Sequence, residues 1–414
     1  MHTLTEDKKR LLSNFFSLSA LHGINMLLPL VTLPYLVRVL GVENYGLVNF
    51  ALSVIMYFNI LVSFGFELSA TREISVNRDD SRKVTEIFST VMLIKAFFAF
   101  VSFLLLGLLV NGIELLSRHA ALYYATFGLV VGNVLFPTWF FQGMERMKYI
   151  TFINVASRIA FTVLIFVFVK ESDDYIYVPI LNASGAILGG LYSLWLIFRR
   201  FGIKKIVLPT RATLRGQLRE SFHFFLSRVA GNGAQHLATV IVGLCFGNLI
   251  VGYFSMVGKL TMAFSSLGGI LSQTIYPYMS RTRNIRFFKK LFYGTTVFAT
   301  LAILPILYFN ESLFLFVFGV QNSTLSHLFI IIFGASVFGI MNALVGYPLL
   351  AAFGYTKEAN NSLIYASALY ILFVLIGALV FRDFYLVAYA HVFNMLTALA
   401  IRFHYIRKHR LWNI

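Results

Sequence analysis

Acidic side chains are scarce in this chain: Asp and Glu number 17 against 34 Lys and Arg, and charged residues of both signs are only 12% of 414. Soluble domains carry roughly 25% charged residues, so the shortage excludes an ordinary soluble fold. Cysteine is rarer still. The single Cys245 excludes an intrachain disulfide framework and argues against a cysteine-based metal site. Long polar segments are missing too, and the longest connection, about residues 199 to 221, is too short for a soluble domain. What fills the chain instead is apolar: 58% hydrophobic residues and a mean hydropathy of +0.78.

A bilayer core takes roughly 20 apolar residues per helix, because backbone polar groups in lipid must be satisfied within the segment. Twelve such runs are present, at about 12–37, 44–66, 87–110, 119–142, 151–169, 177–198, 222–246, 250–277, 289–309, 324–353, 359–381 and 384–405. They predict an all-α polytopic membrane protein in two six-helix halves, residues 1–198 and 222–414, joined by a connector over 199–221. Arg211, Arg215 and Arg219 recur beside Leu214, Leu218 and Phe222, so the connector should form an amphipathic helix suited to the cytoplasmic interface. Lys8, Lys9 and Arg10 precede a run too long for a signal-peptide core, so the first span is expected to remain in the mature protein.

Cations collect on the cytoplasmic side of such proteins. Assigned to alternate sides of the twelve runs, 26 of the 34 Lys and Arg fall on one side. Four (Arg38, Arg118, Lys170 and Arg382) fall on the other, and four lie within runs. Both termini are therefore expected in the cytoplasm. The net charge of +17 is then mostly topology signal and contact with anionic lipid, and nucleic-acid binding is not expected.

The two halves share punctuation. In "VLFPTWFFQGMERMK" and "VGYPLLAAFGYTK", a proline (Pro137, Pro348) is followed by a glycine six residues on (Gly143, Gly354) and a cation three later (Arg146, Lys357). A second pair has a constant offset of 206: Gly41 and Gly46 in "LGVENYGL", Gly247 and Gly252 in "FGNLIVGY". Six spans per half would relate the copies by an axis along the membrane normal, the arrangement of two transporter lobes around a shared cleft. Prolines inside runs (Pro29, Pro34, Pro305) add places where helices can bend.

The four cations within runs are Lys95, Arg158, Arg228 and Lys259. Each costs roughly 2.5–3.5 kcal/mol at a helix centre, and no Asp or Glu lies deep in a run to neutralise them. Arg228, about 9 Å from its span end, can snorkel to the interface; the others lie roughly 11–14 Å deep, which favours a water-filled cavity. A cleft with such cations from both halves would select an anion, with Arg forking onto phosphate oxygens and Lys acting as a point charge. Amides within runs, including Asn25, Asn49, Asn59, Asn154, Gln235 and Gln273, are candidate sugar contacts or interhelical hydrogen bonds. His22, His236 and His391 are candidate proton carriers or packed histidines. No metal or cofactor site is expected.

Three stretches carry a resemblance: residues 11–50 ("LLSNFFSLSALHGINMLLPLVTLPYLVRVLGVENYGLVNF"), 65–95 ("GFELSATREISVNRDD", then "KVTEIFSTVMLIK") and 137–150 ("PTWFFQGMERMKYI"). They closely resemble the bacterial polysaccharide-transporter family, in particular Wzx-type O-antigen flippases. That family is similar to the superfamily of multidrug, oligosaccharidyl-lipid and polysaccharide exporters. The resemblance implies twelve helices, two pseudo-symmetric lobes and a central cationic cleft, in the bacterial inner membrane. It implies transport without catalysis: an undecaprenyl-pyrophosphate-linked O-antigen repeat unit moved from the cytoplasmic to the periplasmic leaflet by alternating access. Cationic cavity residues are a theme of the family, and Lys95 closes one of the matching stretches. Expected partners are that lipid-linked oligosaccharide, anionic membrane lipids, the O-antigen polymerase and its chain-length regulator. Flipping of another lipid-linked glycan (exopolysaccharide, teichuronic acid or enterobacterial antigen), multidrug export and membrane glycan polymerisation stay open as alternatives.

Overall fold

A computed structural model describes the backbone of residues 2–203, 205–229 and 233–413, and side chains from Leu28 onward except those of Ser227, Gln235 and Asn413. The candidate residues His22, Asn25 and Gln235 lie outside the described side chains. Every regular element among the described residues is helical.

In chain order the helices are α1 (His2–Ser63), α2 (Phe66–Asn77), α3 (Ser81–Gly112), α4 (Glu114–Ser117), α5 (Ala120–Leu135), α6 (Thr138–Gly143), α7 (Met147–Phe168), α8 (Tyr177–Arg200) and α9 (Arg211–Arg228). There follow α10 (Ala234–Phe246), α11 (Asn248–Thr282), α12 (Ile285–Tyr308), α13 (Asn310–Phe318), α14 (Ser323–Gly334), α15 (Ser336–Leu344), α16 (Thr356–Leu375) and α17 (Phe384–Lys408). Ten stretches of the described residues are long and apolar enough to cross a membrane. One of them, Leu28–Asn77, holds two of the predicted runs. Apolar side chains along α3 are bare, with Phe97 61%, Phe100 62% and Leu108 71% exposed, a stripe suited to lipid rather than water.

The predicted runs break where backbone chemistry requires it. Gly41 interrupts α1 with φ 76° and ψ 164°, and Gly247, 206 residues later, separates α10 from α11 with φ 82° and ψ 177°. This backbone region is essentially reserved for glycine. The fourth run stops at Phe136, because a residue preceding proline is pushed out of the helical region, and Pro137 then opens α6. Pro348 instead sits inside a π-helical turn, Val345–Leu350, which accommodates the missing N–H. The seventh run, expected as one span over 222–246, comprises α9 as far as Arg228 and α10, a 13-residue helix from Ala234, and residues 230–232 between them lie outside the described residues.

The chain forms two compact units, Met1–Thr32 with Val48–Val229 and Leu33–Leu47 with Ala230–Ile414. The first unit is centred on Phe88, Trp139, Phe140 and Phe141, all buried, with Phe88 and Phe140 edge to face at 5.5 Å. Its helices α5 and α8 approach through small residues, Gly128 against Ala183 and Gly132 against Ala186, as helices do where lipid removes the hydrophobic drive to associate.

Helix α9 docks on this unit. Leu214 and Leu218 pack on its core, Gln217 and Ser221 are buried, and a polar ladder runs alongside. In that ladder Thr213 donates to Glu86 at 3.1 Å, Gln217 to Glu73, and Ser221 shares a 2.7 Å bond with Ser69.

The second unit is centred on Phe288, Phe292, Leu344, Leu349 and Leu350, closed by Trp412 edge-on to Phe292 at 5.7 Å. Within it the two repeat motifs meet. A Cβ on Gly46 would stand 1.9 Å from the Asn248 carbonyl oxygen and 2.7 Å from the Gly252 nitrogen, and one on Gly252 would stand 2.3 Å from the Val42 carbonyl oxygen. Each glycine thus admits the backbone of the other's motif.

Candidate functional site

The four intramembrane cations meet four different environments. Lys95, on α3, is 3% exposed, and its ammonium donates to both the backbone oxygen and Oδ1 of Asn133 on α5, at 2.8 Å each. The Asn133 amide continues the chain to Asn59 Oδ1 at 3.1 Å and Ser63 Oγ at 3.2 Å on α1. All of these partners are neutral. Oxygen dipoles thus surround the Lys95 amine, and no carboxylate lies within ion-pair distance among the described residues.

Arg158, on α7, is exposed and has no polar partner among the described residues. Lys259, on α11, is half-buried, with its ammonium 5.0 Å from the centre of the Tyr45 ring. That cation–π contact holds the charge in place without neutralising it. Arg228 differs. At the end of α9 it is ion-paired with Glu67 in the first turn of α2, so the expectation that no acid neutralises it is corrected. The two residues are 161 apart in sequence, and only the docking of α9 on α2 joins them.

Among the amides, Asn59 joins the Lys95 chain. Asn49 is buried, Asn154 donates to the Ile150 carbonyl of its own helix at 3.0 Å, and Gln273 is exposed. His236 and His391 are half-buried on α10 and α17. Lys95 and Asn59 thus meet on Asn133.

One residue escaped the sequence reading. Arg402, assigned there to the cytoplasmic side, is 4% exposed inside the second unit. Its guanidinium donates to Ser362 Oγ at 2.9 Å, to Asn342 through the backbone oxygen and through Oδ1 at 3.4 Å, and to the Ala359 carbonyl at 3.3 Å. The available signal was its position three residues inside the last predicted run. Among the described residues no group of three or more His, Cys, Asp and Glu could hold a metal ion, and Cys245 is exposed and unbridged.

Comparison with known proteins gives this architecture a lineage. Residues 11–283 match the family described as polysaccharide biosynthesis protein. The chain belongs to this family. It is 32% identical over 279 residues to a candidate O-antigen transporter of Escherichia coli K12, covering 67% of each chain. A protein of the same description from Shigella dysenteriae is 25% identical over 287 residues, 67% of this chain and 69% of that one. Two solved structures share the fold at 15% identity and a TM-score of 0.69 each. The lipid II flippase MurJ, inward closed, covers 96% of this chain and 87% of its own, and an inward-facing MATE family multidrug resistance transporter covers 95% and 98%. With ten membrane-spanning stretches, this member of the family is a multi-pass protein of the bacterial inner membrane, of the helical architecture those transporters share.

Proposed function

We propose that the protein is a flippase for a lipid-linked oligosaccharide, an undecaprenyl-pyrophosphate-linked O-antigen repeat unit carried from the cytoplasmic to the periplasmic leaflet by alternating access. The observation that carries this reading is the state of the intramembrane cations: Lys95, Arg158 and Lys259 lack an acidic partner among the described residues. A charge kept in a membrane protein without a counter-ion is costly, and a pyrophosphate-bearing substrate would supply the missing sign. The amides about Lys95 suit hydroxyl-rich sugars, and the polyprenyl tail would stay in lipid throughout.

The relatives' description as O-antigen transporters favours this cargo, and the likeness to a lipid II flippase is consistent with a lipid-anchored one. The MATE likeness is equally close in fold. A site for cationic drugs, however, calls for free carboxylates, and here Glu67 and Glu73 are engaged by Arg228 and Gln217. In this reading the lobes are residues 1–198 and 222–414 with 199–221 between them, both termini are cytoplasmic, and no bond is made or broken.

The test is movement of the lipid-linked oligosaccharide across reconstituted vesicles, comparing the unmodified chain with Arg158→Gln and Lys259→Gln at equal insertion. Transport by the unmodified chain and at least about a tenfold loss in each variant are expected, the scale of one charge-assisted hydrogen bond. Variants that match the unmodified chain would sink the cation-site reading. Absence of transport under every ion gradient would sink the flippase reading.

A further inference from the structure

A second cationic feature lies outside the spans, at the end of the first unit where α2, α6, α7 and α8 terminate. A cavity of about 550 Å³ opens there, lined by Arg78, Asp79, Arg146, Tyr149, Arg200 and Phe201 among others. The three arginines come from three separate segments: the end of α2, the turn before α7 and the last turn of α8. Arg78 is bridged to Glu145 at 2.8 Å. Arg146 and Arg200 are exposed and have no acidic partner among the described residues, and Asp79 is the one carboxylate in the lining. The lining alone therefore sums to two positive charges, and to one with Glu145 included.

The floor is rigid. The Phe201 ring lies 5.3 Å from Phe140, 5.9 Å from Phe141 and 6.0 Å from Tyr149, and both Phe140 and Phe141 are fully buried. The turn that presents Arg146 is equally fixed. Helix α6 closes with an Arg146 N–H bond to the Phe141 carbonyl at 2.8 Å and a Glu145 N–H bond to the Gln142 carbonyl at 3.0 Å. Glu145 occupies the left-handed position of this closure, at φ 55°, where glycine is usual. Glycine there would relieve backbone strain and forfeit the bridge that orients Arg78. Three guanidiniums lining one cavity over an aromatic floor, with more cation than carboxylate, form a receptor for a tetrahedral phosphate oxyanion, because each guanidinium can fork onto two of its oxygens.

We propose that this cavity binds a phosphate group, presented either by an anionic phospholipid head or by a soluble pyrophosphate. The proposal stands apart from the transport reading, since the cavity uses none of the intramembrane cations.

The test uses the full-length chain in detergent. Binding of dioleoylphosphatidylglycerol, with dioleoylglycerol as the phosphate-free comparison, is counted by native mass spectrometry, and binding of pyrophosphate is followed by calorimetry. Both are repeated on Arg146→Gln, Arg200→Gln and Arg199→Gln. Arg199 is the control for bulk charge: its guanidinium lies 5.2 Å from the Trp195 ring and it does not line the cavity. At least one phosphate ligand should bind the unmodified chain and Arg199→Gln alike, and about tenfold more weakly to each of the other two variants. Binding of phosphatidylglycerol alone assigns the site to a lipid head, and binding of pyrophosphate assigns it to the free anion chemistry. Equal binding by all four proteins, equal loss in Arg199→Gln, or no binding of either ligand would overturn the proposal. A variant that fails to elute as a folded monomer is replaced by its lysine counterpart, for which a smaller loss is expected because the fork is lost and the charge kept.

Discussion

Each unit buries one cation on one asparagine, and the two arrangements differ in a telling way. Lys95 donates to the backbone and side-chain oxygens of Asn133, four residues before Pro137, and Arg402 does the same to Asn342, six residues before Pro348. The two sites are not equivalent under the sequence repeat, since Lys95 lies on the third predicted run and Arg402 on the twelfth. The chemistry diverges from there. Arg402 spreads its bonds over Ser362, Asn342 and Ala359, of which Ser362 also donates to the Ala359 carbonyl at 2.7 Å and the Asn342 carbonyl also accepts from the Val345 N–H. Lys95 spends its ammonium on a single residue and keeps a donor unused. A saturated cation reads as a rivet; an unsaturated one is available to a substrate.

The largest effect expected from this contrast is on stability. Arg402→Leu removes the charge-assisted bonds to Ser362, Asn342 and Ala359 from a buried site and should cost about 2 kcal/mol, read as a lowered Tm of the purified protein. Arg402→Lys should recover only part of it, since a point charge cannot reach all three groups. A Tm unchanged in Arg402→Leu would dissolve the distinction between the two sites.

Asn133→Asp probes the other side. It gives Lys95 a carboxylate in place of the amide oxygen and removes the bonds the Asn133 amide donates to Asn59 and Ser63, so the two effects offset and Tm should change little while transport falls several-fold. Transport left intact by a neutralising partner would show that the Lys95 charge is not used on the substrate. The smallest effect should come from Glu67→Gln. Its pair with Arg228 has both side chains 32% exposed, and its loss should change stability by no more than about 1 kcal/mol. A larger fall in Tm would place Arg228 beside Arg402 as a structural cation.

The membrane fold was legible in the apolar runs, and the repeat in Gly41, Gly46, Gly247 and Gly252, because helix length and glycine-only backbone are local properties. Charge was legible as sign and not as depth. Arg402 joined the tail cations in the sequence reading because it sits near the end of a run, where a long side chain can reach either water or the bundle interior. The Glu67–Arg228 pair, like Lys95 on Asn133, depends on which helices become neighbours, and hydropathy carries no such information.

The meeting of Gly46 with Gly252 has a genetic consequence. Each copy of the repeat supplies half of a contact that neither closes alone, and a side chain added to either strikes backbone, which cannot swing away as a flexible side chain would. Elsewhere the two copies are free to differ in length and charge. At this seam they inherit as one character, and a change in either glycine can be answered only by a shift in the other copy.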